Sequence, residues 1–449
     1  MSLAPVPAAP LSPGVRRGYA LGSVATGTFG TVPGLLLLPY LTDTLGITAL
    51  VAGLIVFVPK AWDVVLNPIT GRISDSSTSP AGRRRPFLLI GGLALALSFA
   101  LLFAGPSGPP WLAGTYVVVL FLVCATAYSF FQVPYVSMPA EITADYTERT
   151  RLMTWRVAIL ALAILLSGAT APIVVNAFDD ESTGHRVMGV YVAAIIAVGA
   201  LGAWRGTRAA PELPVDTADG TLADQLRLVR ADPAFLALLA TFVLQAIGIG
   251  AMLAGVAYVA DDLLGNTLAA TILFAAFVAP ALIVTPWWER FARRHGKKVG
   301  YQLSTALLVV GALVLFAARQ ETTWLVYPAA AVVGIGYAGA QVFPMAMLPD
   351  IAAADAERSG QNRIGVFTGV WTAGETLGLA IGPGLFAVVL AIGGYVSSTS
   401  DVAQSESALT AIALGFSVVP AVLIALSALT LRRCTDPLHR STAPPSLGS

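Results

Sequence analysis

The sequence predicts an all-α membrane protein whose twelve transmembrane helices fall into two six-helix halves, and three observations carry that expectation. Hydrophobic residues fill 56% of the 449 positions and charged residues only 11%. With a mean hydropathy of +0.77, the chain is too apolar for a soluble protein of this length. Twelve apolar runs are long enough to cross a hydrocarbon core, which takes about 20 helical residues. Lys and Arg gather in alternate connections between the runs, the positive-inside pattern of a polytopic helical protein.

In chain order the runs cover residues 17–42, 48–72, 86–104, 112–137, 153–175, 187–205, 234–259, 267–289, 299–318, 323–347, 364–391 and 409–431. None alternates apolar and polar residues with period two, so barrel strands are excluded. Basic clusters at 72–85, 149–156, 205–230, 290–298, 358–363 and 432–440 mark one side of the membrane, while connections such as 105–110 and 261–266 carry almost no Lys or Arg. Both termini are therefore expected in the cytoplasm and the protein in the cell membrane. Residues 1–16 form a Pro/Ala-rich tail without a clear cleavage pattern, 17–205 the first half, 206–233 a polar connection, 234–431 the second half and 432–449 a second tail. Within the connection, Leu222, Leu226 and Val229 share one face of a potential surface helix, a flexible linker being the alternative.

Several function classes find no support. A net charge of +1 gives no case for nucleic acid, and Cys124 and Cys434 cannot build a disulfide framework. His185, His295 and His439 are read as loop or tail residues without ligand spacing, and neither a Walker loop nor a nucleophile elbow occurs. No cofactor, metal or enzymatic activity is expected. The run at 248–255, GIGAMLAG, suits close helix packing rather than a dinucleotide loop.

The segment WDVVLNPITGRISDSSTSPAGRRRPF, 62–87, carries the most information. Asp63 follows an apolar run, where a charge costs about 2.5–3.5 kcal/mol on insertion scales and so belongs in a cavity or against a partner. Arg83, Arg84 and Arg85 anchor the far end, and with Asp75 they can bridge neighbouring helices there. An internal repeat links the halves: VPYVSMPAEITADYTERTR after the fourth run is echoed by FPMAMLPDIAAADAERSGQNR after the tenth. Pro134 matches Pro344, Glu141 matches Asp350, and Glu148-Arg149 matches Glu357-Arg358. A weaker echo relates Gly82 and the arginines after it to Gly296 and the lysines that follow.

These three segments resemble the glycoside-pentoside-hexuronide:cation symporter family, whose patterns read approximately WDxxxDPxxGxxxDxxxSxxGRRRP, PYxxLxxELTxDxxERxxLxxxR and MxADxxDxxxxxTGxRxxGxxxS. The GRRRPF loop is also similar to that of sucrose:proton symporters, whereas Asp63 and the later motifs favour the first group. The resemblance covers essentially the whole chain. It implies a major facilitator fold, alternating access, a small-molecule solute and a coupling cation as partners within the lipid bilayer, and a monomer.

The resemblance also assigns roles. Asp63 takes a position of the family's cation site, a structural pair with Lys60 being the alternative. The second carboxylate expected four residues later is Asn67, which favours H+ over Na+ as the coupling ion. The sugar-binding acids are replaced by Gly27 and Gln132, while Arg156 matches the fifth-helix arginine. Gln132 and Arg156 are therefore expected solute contacts, with a buried helix-to-helix hydrogen bond and a cytoplasmic anchor as their alternatives. In the eleventh run Leu377 replaces a lysine, Glu375 can supply the missing acid, and Trp371 can stack on a sugar ring or simply pack. Asp75, Arg83, Arg84, Arg85, Glu141, Arg149, Asp350 and Arg363 form the expected cytoplasmic gate.

The function this implies is secondary active transport of a small polar organic solute, a sugar or glycoside, by proton-coupled symport, with sodium coupling the lesser option. An exporter of a drug-like or secondary metabolite and a non-transporting membrane receptor are the alternatives.

Overall fold

The computed structural model describes residues 11–211 except 81, 107 and 144, residues 232–398 except 267, 318–319 and 360–363, and residues 403–434. The expected surface helix at Leu222–Val229 lies outside the described residues, as does Arg363. Two compact units are present: Met1–Ala218 with Val396–Ala403, and Asp219–Tyr395 with Gln404–Ser449.

The first unit contains α1 (Pro13–Pro39), α2 (Ala49–Asp75), α3 (Arg85–Leu102), α4 (Pro110–Ile142), α5 (Tyr146–Val175) and α6 (Glu181–Gly206). The second contains α7 (Pro233–Tyr258), α8 (Ala269–His295), α9 (Lys297–Leu315), α10 (Thr323–Ser359), α11 (Ile364–Ile392) and α12 (Glu406–Arg433). Among the described residues, twelve helices are long and apolar enough to cross a membrane. Helix N-termini are signalled locally: Ser12, Asp180, Asp232 and Ser405 each accept a hydrogen bond from a backbone N–H of the following turn.

Several helices outrun the apolar stretch that predicts them. α5 starts at Tyr146 and α10 runs on to Ser359, so the motif segments expected as connections are largely helical. Hydropathy reports the hydrocarbon thickness, whereas a helix continues until its backbone is capped. Pro134, Pro139, Pro344 and Pro349 sit inside α4 and α10 without ending them, as membrane helices tolerate.

Each unit packs its helices by the same scheme. α1 lies against α5 and α6, α3 against α4 and α6, and α2 against α4; correspondingly α7 lies against α11 and α12, α9 against α10 and α12, and α8 against α10. The first helix of each unit also ends in a π turn, Tyr40–Thr44 after α1 and Val259–Leu264 after α7.

Lipid tails are as apolar as leucine, so close backbone approach rather than burial from water brings these helices together. On α3, Gly91 and Gly92 face Phe130, Phe131 and Ala200, while Ile90, Leu93, Leu97 and Leu101 form the exposed stripe. Gly18 on α1 and Gly206 on α6 bring their backbones into direct contact, leaving no space for a Cβ.

In the second unit a polar knot adds to this packing. Buried Gln245 donates to Thr305 Oγ1 (3.0 Å) and Ser427 Oγ (3.1 Å) and accepts from Tyr301 Oη (3.0 Å), tying α7 to α9 and α12. Every hydrogen bond of that knot joins groups that bilayer would leave unsatisfied.

Gly18→Val is expected to destabilise the protein by about 1–3 kcal/mol through overpacking. A lower midpoint of thermal unfolding in detergent checks this, and Gly30→Ala, at a position with open space around it, is expected to leave the midpoint unchanged.

Candidate functional site

α2 carries Lys60, Asp63 and Asn67 at helical spacing, which places them along one face. Asp63 is 4% exposed, and its Oδ1 is buried without a hydrogen-bond partner. The expected alternative, a close pair with Lys60, is not the arrangement seen: no ion pair within 4.0 Å joins them among the described residues. The Lys60 ammonium instead lies 5.0 Å from the centre of the Phe29 ring and 6.0 Å from that of Phe121. Asn67 Oδ1 already accepts a hydrogen bond from Ser129 Oγ (2.8 Å), and Ser129 in turn meets Thr70 Oγ1 at 3.1 Å. The α2–α4 contact therefore fixes Asn67 while leaving Asp63 Oδ1 without a hydrogen bond.

A second cluster joins α1, α4 and α5. Tyr135 donates to the Tyr19 carbonyl (2.9 Å), lies 2.9 Å from Ser23 Oγ, and stacks on the Tyr19 ring with centroids 4.7 Å apart. The Arg156 guanidinium lies 5.6 Å from the Tyr135 ring centre. Arg156 Nε and the Tyr19 hydroxyl are both buried and lack hydrogen-bond partners. Gln132, half-buried on α4, makes no side-chain hydrogen bond among the described residues.

In the second unit Glu375 is half-buried on α11 and forms no hydrogen bond or ion pair among the described residues. Trp371, one turn away, is fully buried and stacked on Phe242 at 4.3 Å, with its indole N–H unpartnered. That stacking occupies one face of the ring the sequence offers to a sugar.

The charged cluster past α2 divides its arginines by task. Buried Arg84 donates through Nε to Glu141 Oε1 (2.8 Å) and through its terminal nitrogens to Ser74 and Asp75. One planar guanidinium thus ties the end of α2 to the end of α4. Arg85 donates to the carbonyls of Thr207 (3.1 Å) and Ala210, satisfying the chain end that follows α6. Arg83 stays 3.9 Å from Asp75, a weaker partner.

The second unit repeats this device with lysines. Lys297 pairs with Asp350 and donates to the Ala346 carbonyl (2.9 Å), matching Arg84 and Glu141. Lys298 donates to the carbonyls of Arg432 (3.2 Å) and Cys434 (2.7 Å) at the end of α12, matching Arg85 and α6. Gly82 and Gly296 precede the two basic segments with φ of 101° and 88°, a conformation that favours glycine. Buried Glu148 takes Arg151 at 2.8 Å and Arg16 at 3.9 Å, while Asp232 caps α7 and takes Arg358 at 2.6 Å. The placement of the Arg149 side chain lies outside the described residues.

Two expectations need correction, and His439 lies outside the described residues: His295 is not a loop residue but the last residue of α8. His185 is not a loop residue: it is buried in the first turns of α6, with Nδ1 2.9 Å from the Glu181 carbonyl and 3.3 Å from Thr44 Oγ1. The apolar run begins only after it, so hydropathy misses the helix start. Tyr19, Tyr135 and Ser129 also escape the sequence reading, because isolated Tyr and Ser residues in apolar runs give no signal of their neighbours. Gln245 was detectable as a polar residue within a span, and Lys297 and Lys298 through the repeat.

Twelve membrane-length helices among the described residues, a packing scheme repeated in both units and a carboxylate buried within a span define a polytopic membrane transporter of the major facilitator fold rather than an enzyme. The chain belongs to the MFS/sugar transport protein family, whose model matches residues 18–435. Escherichia coli (strain K12) YagG, whose name assigns it to glycoside/cation symport, is 26% identical over 434 residues, covering 94% of this chain and 92% of that one. The isoprimeverose transporter of Lactiplantibacillus pentosus is 25% identical over 423 residues, covering 93% and 87%. Among solved structures, a D-xylose-proton symporter superimposes with a TM-score of 0.70 at 15% identity, covering 93% of this chain and 96% of that chain, a likeness of fold.

Arg84→Ala strands the buried carboxylate of Glu141 and is expected to cost about 3–5 kcal/mol. Thermal unfolding in detergent reads this as a large drop in midpoint, and Arg84→Ala combined with Glu141→Gln is expected to recover part of it.

Proposed function

We propose that this protein is a secondary active transporter that carries a small polar organic solute, a sugar or glycoside, in symport with protons. The observation that carries the reading is Asp63: a carboxylate buried in a membrane span, with an oxygen that has no hydrogen-bond partner among the described residues, in a family of sugar transport proteins. A carboxylate so placed can take up and release a proton as its surroundings change. Asn67 argues against sodium, since it removes one negative charge from the segment and its oxygen is already committed to Ser129. The relatives named for glycoside/cation symport and isoprimeverose transport support a glycoside as solute.

The remaining roles follow from the clusters. Gln132 and Arg156 orient the solute, with Tyr19 and Tyr135 backing the guanidinium, and Glu375 serves as a second proton carrier in the other unit. Arg84 with Asp75 and Glu141, and Lys297 with Asp350, hold the helix ends that form the cytoplasmic gate during alternating access, and Arg149 and Arg363 belong to the same gate. The two six-helix halves, 17–205 and 234–431, are joined by the connection 206–233 and flanked by the tails 1–16 and 432–449. Both termini face the cytoplasm, the protein resides in the cell membrane, and it works as a monomer.

Proteoliposomes screened with glycosides under separately imposed proton and sodium gradients test this reading. Accumulation is expected under the proton gradient and not under sodium alone; no movement of any glycoside under either gradient contradicts it. Asp63→Asn is expected to abolish gradient-driven accumulation while solute exchange persists, and accumulation that survives the change would remove Asp63 from the coupling role.

A further inference from the structure

Lys60, on α2, is a charged residue that the mechanism above does not use. Its ammonium rests against Phe29 and Phe121, at 5.0 and 6.0 Å from the ring centres, one helical turn from Asp63. Cation–π contact with two rings holds a charge in place without neutralising it. Lys60 and Asp63, three residues apart on α2, are near enough to interact electrostatically although no ion pair within 4.0 Å joins them among the described residues. With Asp63 deprotonated and Lys60 protonated, the formal charges of these three side chains sum to zero, Asn67 being neutral. A sodium ion entering here would leave a net positive charge inside the bilayer, where uncompensated charge is costly.

The unpartnered Asp63 Oδ1 and the flexible Lys60 stem suggest what takes the place of an inorganic cation. We propose that Lys60 is the ion-selectivity residue of this protein: its ammonium is a tethered cation that occupies the electrostatic place of sodium beside Asp63, making the protein blind to sodium. The aromatic rings of α1 and α4 park the ammonium one turn from the carboxylate it serves. This inference rests on the reading of Asp63 as the coupling carboxylate.

The test uses the purified full-length protein and sodium alone, without solute, so its outcome is independent of whether a glycoside is carried. Sodium binding is followed by calorimetry and by thermal protection, titrating NaCl against choline chloride at constant ionic strength. The wild-type chain and Lys60→Arg are expected to show no sodium-specific signal. Lys60→Met is expected to acquire saturable sodium binding on the order of 100-fold tighter, the weight of a unit charge one helical turn away at an effective dielectric of about 20. Adding Asp63→Asn to that variant is expected to remove the binding again. Lys60→Gln is the second neutral variant should Lys60→Met not fold, judged by size-exclusion chromatography. Saturable sodium binding by the wild-type chain overturns the proposal, as does a folded neutral variant that binds sodium no better than wild type. Failure of glycoside transport with the sodium results intact would refute the solute and leave the selectivity role of Lys60 standing.

Discussion

A charge held inside a bilayer has to be matched, and most buried charges among the described residues are matched by a partner close in space. Arg84 shares its guanidinium among Ser74, Asp75 and Glu141, Glu148 draws in Arg151, and Asp232 serves both its own helix N-terminus and Arg358. Asp63, buried in a span, has no ion pair within 4.0 Å among the described residues, one oxygen without a hydrogen-bond partner, and a neighbouring cation that rests on aromatic rings. Removing water makes satisfied groups rigid and unsatisfied groups costly, so the same constraint that builds the helix bundle singles out the carboxylate available for exchange.

The matched charges also show how a duplicated sequence keeps a device while changing its residues. Arg84 with Glu141 and Lys297 with Asp350 each fasten a basic residue after a positive-φ glycine to a carboxylate near the end of a long helix. Arg85 and Lys298 then satisfy backbone carbonyls after the last helix of their own unit. The forked guanidinium of Arg84 reaches two helices at once, whereas the single ammonium of Lys297 serves α10 alone. The first unit thereby gains an α2–α4 tether that the lysine version of the device does not supply.

Much of this was legible in the chain before any coordinates, because membrane thickness and charge placement act on composition directly. The twelve helices and the family followed from apolar runs, alternate basic connections and three ordered motifs. Helix ends were less legible: hydropathy stops where lipid stops, so the helical continuation through Pro349 and the burial of His185 in α6 escaped it. The basic loop read as one cluster, and only geometry divides it into a buried tether, a carbonyl cap and a weak surface pair. For Asp63 and Lys60, spacing suggested a pair; the aromatic rings that draw the ammonium aside come from α1 and α4, which no local pattern connects. The same holds for Phe242, which takes one face of Trp371 from a helix far away in sequence.

Proton movement accompanying solute is the most direct test of Asp63 as the coupling carboxylate. Vesicles bearing the wild-type protein, suspended in weakly buffered medium with a pH-sensitive dye, receive a transported glycoside without any imposed gradient. The wild-type protein is predicted to alkalinise the medium as solute enters, and Asp63→Asn to move solute down its gradient with no such change. Equal alkalinisation by both proteins would contradict the assignment of the proton to Asp63.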